Sequence, residues 1–298
     1  MSSPPEAPSL WRVALSVPCP LASLIEARLE GAAALSIVIE SPERRRVEAL
    51  IGGLPNAQAI AGALKALCRE HGVPAPGLTL EEVPALDWVA HVREDSPPVI
   101  AGRYFVHGTH LRPRAGTIAL AIDAGLAFGT GRHPSTRGCL LALERLAKRM
   151  RPRRVLDLGC GSGVLAIAAA KTWRVPVIAC DIDPVAVRCT RANARANGVP
   201  HLVRALSDEG LRAPRLLKAA PFSLVLANIS ARPLAALAPA LARSLEPGGY
   251  AVLSGLLKEQ APGLVSAYRR QGLALESALA LEGWTTLVMA KRHQVEAP

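Results

Sequence analysis

Between Arg154 and Asp183 the sequence reads RVLDLGCGSGVLAIAAAKTWRVPVIACDID, and this stretch gathers the residues best placed to do chemistry. A short apolar run, Val155-Leu156, ends in Asp157 and turns through Gly159-Cys160-Gly161-Ser162-Gly163. An Ala-rich run with helical spacing continues to Ala170, and a second apolar run, Val175 to Cys180, delivers Asp181 and Asp183. Strand, glycine turn, helix, strand and acid together make one βαβ nucleotide-binding half.

The details of that unit choose among ligands. A dinucleotide fingerprint would require a third glycine at position 164, which is Val164. Glycines at 159, 161 and 163 let backbone approach a ligand closely at the strand end. The helix N-terminus beyond them offers unpaired N–H groups to a carboxylate. Asp157 would repel a pyrophosphate but pair with a ligand amine, and Asp181 is placed to accept hydrogen bonds from two ribose hydroxyls. An adenosine that carries an amino acid and no phosphate has all of these groups. S-adenosylmethionine is such a molecule.

The elements that position these residues extend along the whole chain. Its 298 residues are 50% hydrophobic, enough for two domains with their own cores. No apolar run reaches the ~18 residues of a membrane span, and the N-terminus lacks the basic lead-in of a signal peptide. Six cysteines (19, 68, 139, 160, 180 and 189) show no metal-ligand spacing, so a reducing cytoplasm and no metal are expected. The net charge of +11 is uneven: residues 1–115 hold 11 Lys and Arg against 12 Asp and Glu, the remainder 24 against 12. Only 3% of residues are aromatic, so no stacking platform for bases is visible and the excess charge reads as solvated surface.

Residues 1–9 read as a disordered lead rich in proline and serine. Periodicity over 10–83 then predicts strand, helix, two strands, helix and strand, the βαββαβ order of a ferredoxin-like α+β domain. Residues 84–116 read as linker and transition, and 117–298 as the catalytic domain. Before the glycine turn, Phe128-Gly129-Thr130-Gly131-Arg132-His133-Pro134-Ser135-Thr136 leads into a helix, with Ser135 or Thr136 as its N-cap. Beyond Asp183, strands ending at Ser207-Asp208 and at Asn228 alternate with helices, and a hairpin closes the chain. This is an α/β doubly wound sheet, with Asp157, Asp181, Asp208 and Asn228 at the carboxyl ends of its strands, where ligands bind.

With these residues in hand, the chain resembles the PrmA family, the methyltransferases of large-subunit ribosomal protein eleven. The resemblance rests on AFGTGRHPST (127–136), DLGCGSG (157–163), DIDP (181–184), ANISARPL (227–234) and PGGYAVLSGLL (247–257). It implies a class I, Rossmann-like S-adenosylmethionine-dependent methyltransferase domain behind the small domain, which recognises the substrate. Cofactor contacts are implied at Thr136, Gly159, Asp181 and Asn228, and the residue reading adds Phe128, Asp157 and Gly161. The family's loop usually ends in two threonines; Ser135-Thr136 keeps a hydroxyl at both positions. The implied reaction is methylation of lysine side chains and of the N-terminal amine of the ribosomal protein, by a cytoplasmic enzyme expected to act as a monomer.

Methyl transfer to an amine is an in-line displacement, and Asn228 is the candidate catalytic residue, orienting the acceptor nitrogen or holding the cofactor. His133 is the nearest base by position, but a histidine before Pro134 reads as structural. Two other readings share the same residues: a methyltransferase acting on RNA or another protein, and a module that binds S-adenosylmethionine without turnover.

Overall fold

A computed structural model describes residues 10–26, 34–41, 43–83, 97–123, 131–208 and 210–292. The chain divides into two compact units, Met1–Asp95 and Ser96–Pro298. The lead over 1–9, Phe128 and residues 84–96 of the expected linker lie outside the described residues.

In the first unit, strand β1 (Leu10–Pro18) is followed by α1 (Cys19–Glu26), β2 (Ala34–Ile39), β3 (Arg44–Gly52), α2 (Ala57–Glu70) and β4 (Thr79–Val83). The sheet runs β2-β3-β1-β4 with every neighbour antiparallel. Alternation along β1 turns Val13, Leu15 and Val17 to one face, where Leu15 pairs with Val47 and both pack on Leu21, Ile25, Leu64 and Leu67. The Asn56 side chain caps α2 by accepting the Ala59 N–H at 3.0 Å.

The second unit opens with a three-stranded sheet of β5 (Val99–Ala101), β6 (Tyr104–His107) and β7 (Ile118–Ala121). Helix α3 (Pro134–Ala147) leads to β8 (Val155–Leu158), α4 (Val164–Trp173), β9 (Val177–Asp181), α5 (Pro184–Ala196) and β10 (Val203–Ser207). The chain then returns through α6 (Pro214–Ala219), β11 (Phe222–Asn228), α7 (Ala231–Ser244), β12 (Leu245–Leu257), α8 (Ala261–Arg269), β13 (Leu273–Leu281) and β14 (Trp284–Lys291). Helix α6 has no counterpart in the sequence reading; its short run PRLLKA carries too few turns for a periodic signal.

The main sheet runs β10-β9-β8-β11-β12-β14-β13, which is 3-2-1-4-5-7-6 in its own strand count. Only β14 opposes the direction of the others. Strands buried on both faces must be apolar nearly throughout, and VLDL and FSLVLA are. Period two sorts them: Val155, Leu224 and Leu226 face α3, α4 and α5, whereas Leu156, Leu158 and Val225 face α7 and α8. Asp157 shares its face with Val155, so a carboxylate is delivered beneath α4. The strand order reverses between β8 and β11, and a ligand crevice opens at their carboxyl ends.

Candidate functional site

Beyond Leu158 the chain passes through Gly159, Gly161 and Gly163, with φ of +67°, +53° and +81°. Any other residue would be strained in that left-handed region. The turn is stitched to the neighbouring strand end, because Gly159 N–H and Cys160 N–H both donate to Cys180 O at 2.8 and 3.1 Å. The side chain of Asp181 completes the tie: Oδ2 accepts the Gly161 N–H at 2.9 Å and Oδ1 the Asp183 N–H at 3.0 Å. Asp183 has a different task. Its carboxylate caps α5 by accepting the Val185 N–H at 2.8 Å, with Pro184 in the first helical position.

Asp157 is only 1% exposed, and its Oδ2 accepts the Ala166 N–H of α4 at 2.9 Å. Burial pushes its carboxyl up to about 7, against the pull of the Ala166 N–H, and the nearby Asp181 charge adds to the rise. The residue expected to meet a ligand amine thus holds the first turn of α4.

On the other side of the crevice, α3 begins at Pro134, and His133 is its N-cap. This corrects the expectation of Ser135 or Thr136. Proline in the first position starts the helix earlier, and the imidazole Nδ1 accepts the Ser135 N–H at 3.3 Å while bonding Ser135 Oγ at 2.7 Å. The ring stands edge-on to Trp284 with centroids 4.5 Å apart. Burial lowers the His133 pKa, against the opposing charge of Glu282. Capping instead of Thr136 leaves the threonine hydroxyl free for another partner. Thr136 Oγ1 accepts a hydrogen bond from Asn228 Nδ2 at 3.2 Å, bringing the residue at the end of β11 to the first turn of α3. The remaining Asn228 oxygen, Oδ1, is buried and has no hydrogen-bond partner among the described residues.

Thr190 and Asn193, on the buried face of α5, were not singled out by the sequence reading. Thr190 Oγ1 donates to Gly161 O at 2.9 Å, and Asn193 Nδ2 donates to Ser162 O at 2.8 Å. Asn193 also accepts the Asp123 N–H at 3.1 Å and donates to Asp123 O at 3.1 Å. Their signal was available: polar residues on the apolar stripe of an amphipathic helix need buried partners. Ile182 was passed over as well. It lies between two acids and is 78% exposed, an apolar side chain at the crevice edge beside Asp181.

The structure therefore ties Gly159 and Gly161 to the strand end that carries Asp181, sets Asp157 against the first turn of α4, and joins Thr136 and Asn228 in one pair. Asp208 joins the strand ends through its N–H, which donates to Asp181 O at 3.0 Å. An adenosine bearing an amino acid fits this set. The turn leaves backbone open to close approach, and Asn228 Oδ1, buried and without a partner among the described residues, can accept a hydrogen bond from a ligand. The sheet order and this crevice define a class I S-adenosylmethionine-dependent methyltransferase.

The model of the family described as ribosomal protein L11 methyltransferase (PrmA) matches residues 22–292. A ribosomal protein L11 methyltransferase of Bradyrhizobium diazoefficiens is 50% identical over 219 residues, 73% of this chain and 74% of that one. One from Rhodopseudomonas palustris is 44% identical over 255 residues, covering 85% and 86%. The crystal structure of a ribosomal protein L11 methylase from Lactobacillus delbrueckii subsp. bulgaricus superposes with a TM-score of 0.59 at 27% identity, covering 66% of this chain and 99% of that one. The chain belongs to the ribosomal protein L11 methyltransferase family.

Proposed function

We propose that this protein methylates lysine side chains and the N-terminal α-amine of ribosomal protein L11, with Asn228 orienting the acceptor nitrogen. The observation that carries the reading is Asn228 Oδ1, a buried acceptor without a partner among the described residues, at the carboxyl end of β11 and next to the glycine turn. An amine attacks only through its lone pair, so it must arrive neutral, although free lysine has a pKa of about 10.4 and an α-amine one of about 7.7–8.0. Entry into a dry crevice disfavours the ammonium. An N–H donated to Asn228 Oδ1 then directs the lone pair away from the amide, and Thr136 holds the amide in that orientation. Fixing the nitrogen in line supplies much of the acceleration without a side-chain base. Bound S-adenosylmethionine supplies an electrophilic methyl group on a sulfonium.

In this reading Phe128, Thr136, Asp157, Gly159, Gly161, Asp181 and Asn228 form the cofactor site. Asp181 takes the ribose hydroxyls, Ile182 offers its apolar face to the base, and Asp157 favours the ligand's ammonium.

The first unit is read as a ferredoxin-like domain that docks the substrate, which its βαββαβ order and its charge support. Met1–Asp95 holds 8 Lys and Arg against 12 Asp and Glu, whereas the second unit holds 27 against 12. A ribosomal protein carries the positive charge that RNA binding requires, so it meets attraction on the first unit and repulsion on the second. The enzyme is read as a cytoplasmic monomer without direct nucleic-acid contact. Its six free cysteines and its scarcity of aromatic residues support that part.

Intact-mass measurement of purified L11 before and after incubation with enzyme and S-adenosylmethionine tests the proposal. Mass gains in steps of one methyl group, mapped to lysines and the N-terminus, are expected. Label that passes to RNA, or to no acceptor while the cofactor still binds, would overturn it.

A further inference from the structure

The seat of Asn228 is set by two glycines that touch the residue after it. Strands β11 and β12 pair in parallel as far as Asn228 and Ser254. Immediately beyond, Gly255 takes a φ of +87°, within the register shift that separates Leu253 from Leu256 in the β12–β14 pairing. Bulges of this kind re-aim a strand end beside a site. Here the bulge brings the Gly255 backbone onto the Ile229 peptide. A β-carbon at position 255 would lie 2.4 Å from Ile229 O, 2.8 Å from its carbonyl carbon and 3.0 Å from its nitrogen. No side chain can occupy that space unless the Ile229 backbone moves.

The opposite side of Ile229 is held as closely. A β-carbon on Gly159 would lie 2.4 Å from Ile229 Cγ2, so this methyl group rests on bare backbone at the start of the glycine turn. Ile229 is wedged between the turn that ends β8, which its Cγ2 meets, and the bulge in β12, which its backbone meets.

We propose that Gly255 and Ile229 are positioning residues for methyl transfer: they fix the Ile229 backbone, from the nitrogen in its peptide to Asn228 through to its carbonyl, and thereby aim the Asn228 carboxamide at the acceptor nitrogen. This rests on the reading of Asn228 given above. The effect falls on transfer more than on cofactor binding. The close contacts of Gly255 are with the Ile229 backbone, whereas the hydrogen bonds that Asp181 accepts from Gly161 and Asp183 leave Gly255 out.

Gly255→Ala in the full-length enzyme is the primary test, with Gly272→Ala as its control. Gly272 has a φ of +80° and nothing among the described residues within 4 Å of a β-carbon, so it shares the backbone strain of an alanine there without the clash. Affinity for S-adenosylhomocysteine is measured by calorimetry, and kcat on the ribosomal protein at saturation. For Gly255→Ala, kcat should fall at least ~10-fold with cofactor affinity held within ~3-fold, whereas Gly272→Ala should keep both within ~2-fold. A Gly255→Ala kcat equal to that of Gly272→Ala overturns the proposal, as does a parallel fall of kcat and affinity.

If Gly255→Ala does not fold, Ile229→Ala decides. It removes the methyl group that rests on Gly159 and adds no atom, and it should show the same split between kcat and affinity; no split overturns the proposal. Asn228→Ala separates this inference from the reading beneath it. Normal kcat in Asn228→Ala sinks the role of Asn228, whereas an inactive Asn228→Ala beside fully active Gly255 and Ile229 variants sinks only the positioning.

Discussion

Asn228 Nδ2 donates to Thr136 Oγ1 across 3.2 Å, linking the end of the fourth strand of the main sheet to the first turn of α3, 92 residues earlier in the chain. The bond decides which way the carboxamide points. With its nitrogen committed to Thr136, the oxygen is the atom left for a ligand, and that oxygen is buried and without a partner among the described residues.

Removing the Thr136 hydroxyl should therefore disorder the amide. Thr136→Val is close in shape and leaves Asn228 Nδ2 buried without an acceptor, a loss of about 1–3 kcal/mol. Expected is a fall of roughly tenfold in kcat/KM. Thr136→Ser keeps the hydroxyl and should stay near the parent. Equal activity in Thr136→Val and the parent would show that the pair does not orient the site.

Asp181 holds two backbone N–H groups, Gly161 and Asp183, and is also the proposed ribose ligand. Asp181→Ala should reduce S-adenosylhomocysteine affinity by at least ~100-fold, since each charge-assisted hydrogen bond contributes about 1.5–3 kcal/mol. It should also lower Tm by several degrees, because the glycine turn loses its tie to β9. Calorimetric titration and a thermal melt on the same preparation check both. Affinity near normal would place the ribose elsewhere.

Asp157 links stability to pH. Burial raises its folded pKa to about 7, above its unfolded value, so the folded state binds the extra proton between the two. Stability on this account is present at low pH and is lost as pH rises through the window ending near 7. Asp157→Asn keeps an oxygen for the Ala166 N–H and removes the charge. The variant should melt higher than the parent at pH 8, with the difference shrinking toward pH 5, while binding cofactor more weakly. A pH-independent difference in Tm would contradict the assignment.

His133 runs the other way. Its folded pKa is lowered, so its contribution is fully present above the unfolded value and is lost as pH falls from there through the folded value. Protonation of Nδ1 removes the acceptor that caps Ser135 N–H. His133→Asn, a good N-cap without that titration, should flatten this part of the pH–stability curve, whereas His133→Ala should cost about 1 kcal/mol at neutral pH. Melts from pH 5 to pH 8 distinguish them.

Much of this was legible in the sequence, because its signals are local. The βαβ unit announced itself through apolar runs, glycines at a turn and acids at strand ends, all within a few residues of one another. The βαββαβ order of the first unit followed from periodicity alone, and Asn228 stood out as a strand end. The tertiary structure decided the rest. That Asp157 lies beneath α4 with a raised pKa depends on which face of a doubly covered sheet it meets, and a fully apolar strand does not record that in its period. That His133 caps α3 and leaves Thr136 to Asn228 depends on packing against Trp284. The approach of Gly255 to Ile229 needs two strands in register and a bulge beyond them. Residues far apart in the chain become neighbours only when the sheet has formed, so these contacts leave no mark in any short window of sequence.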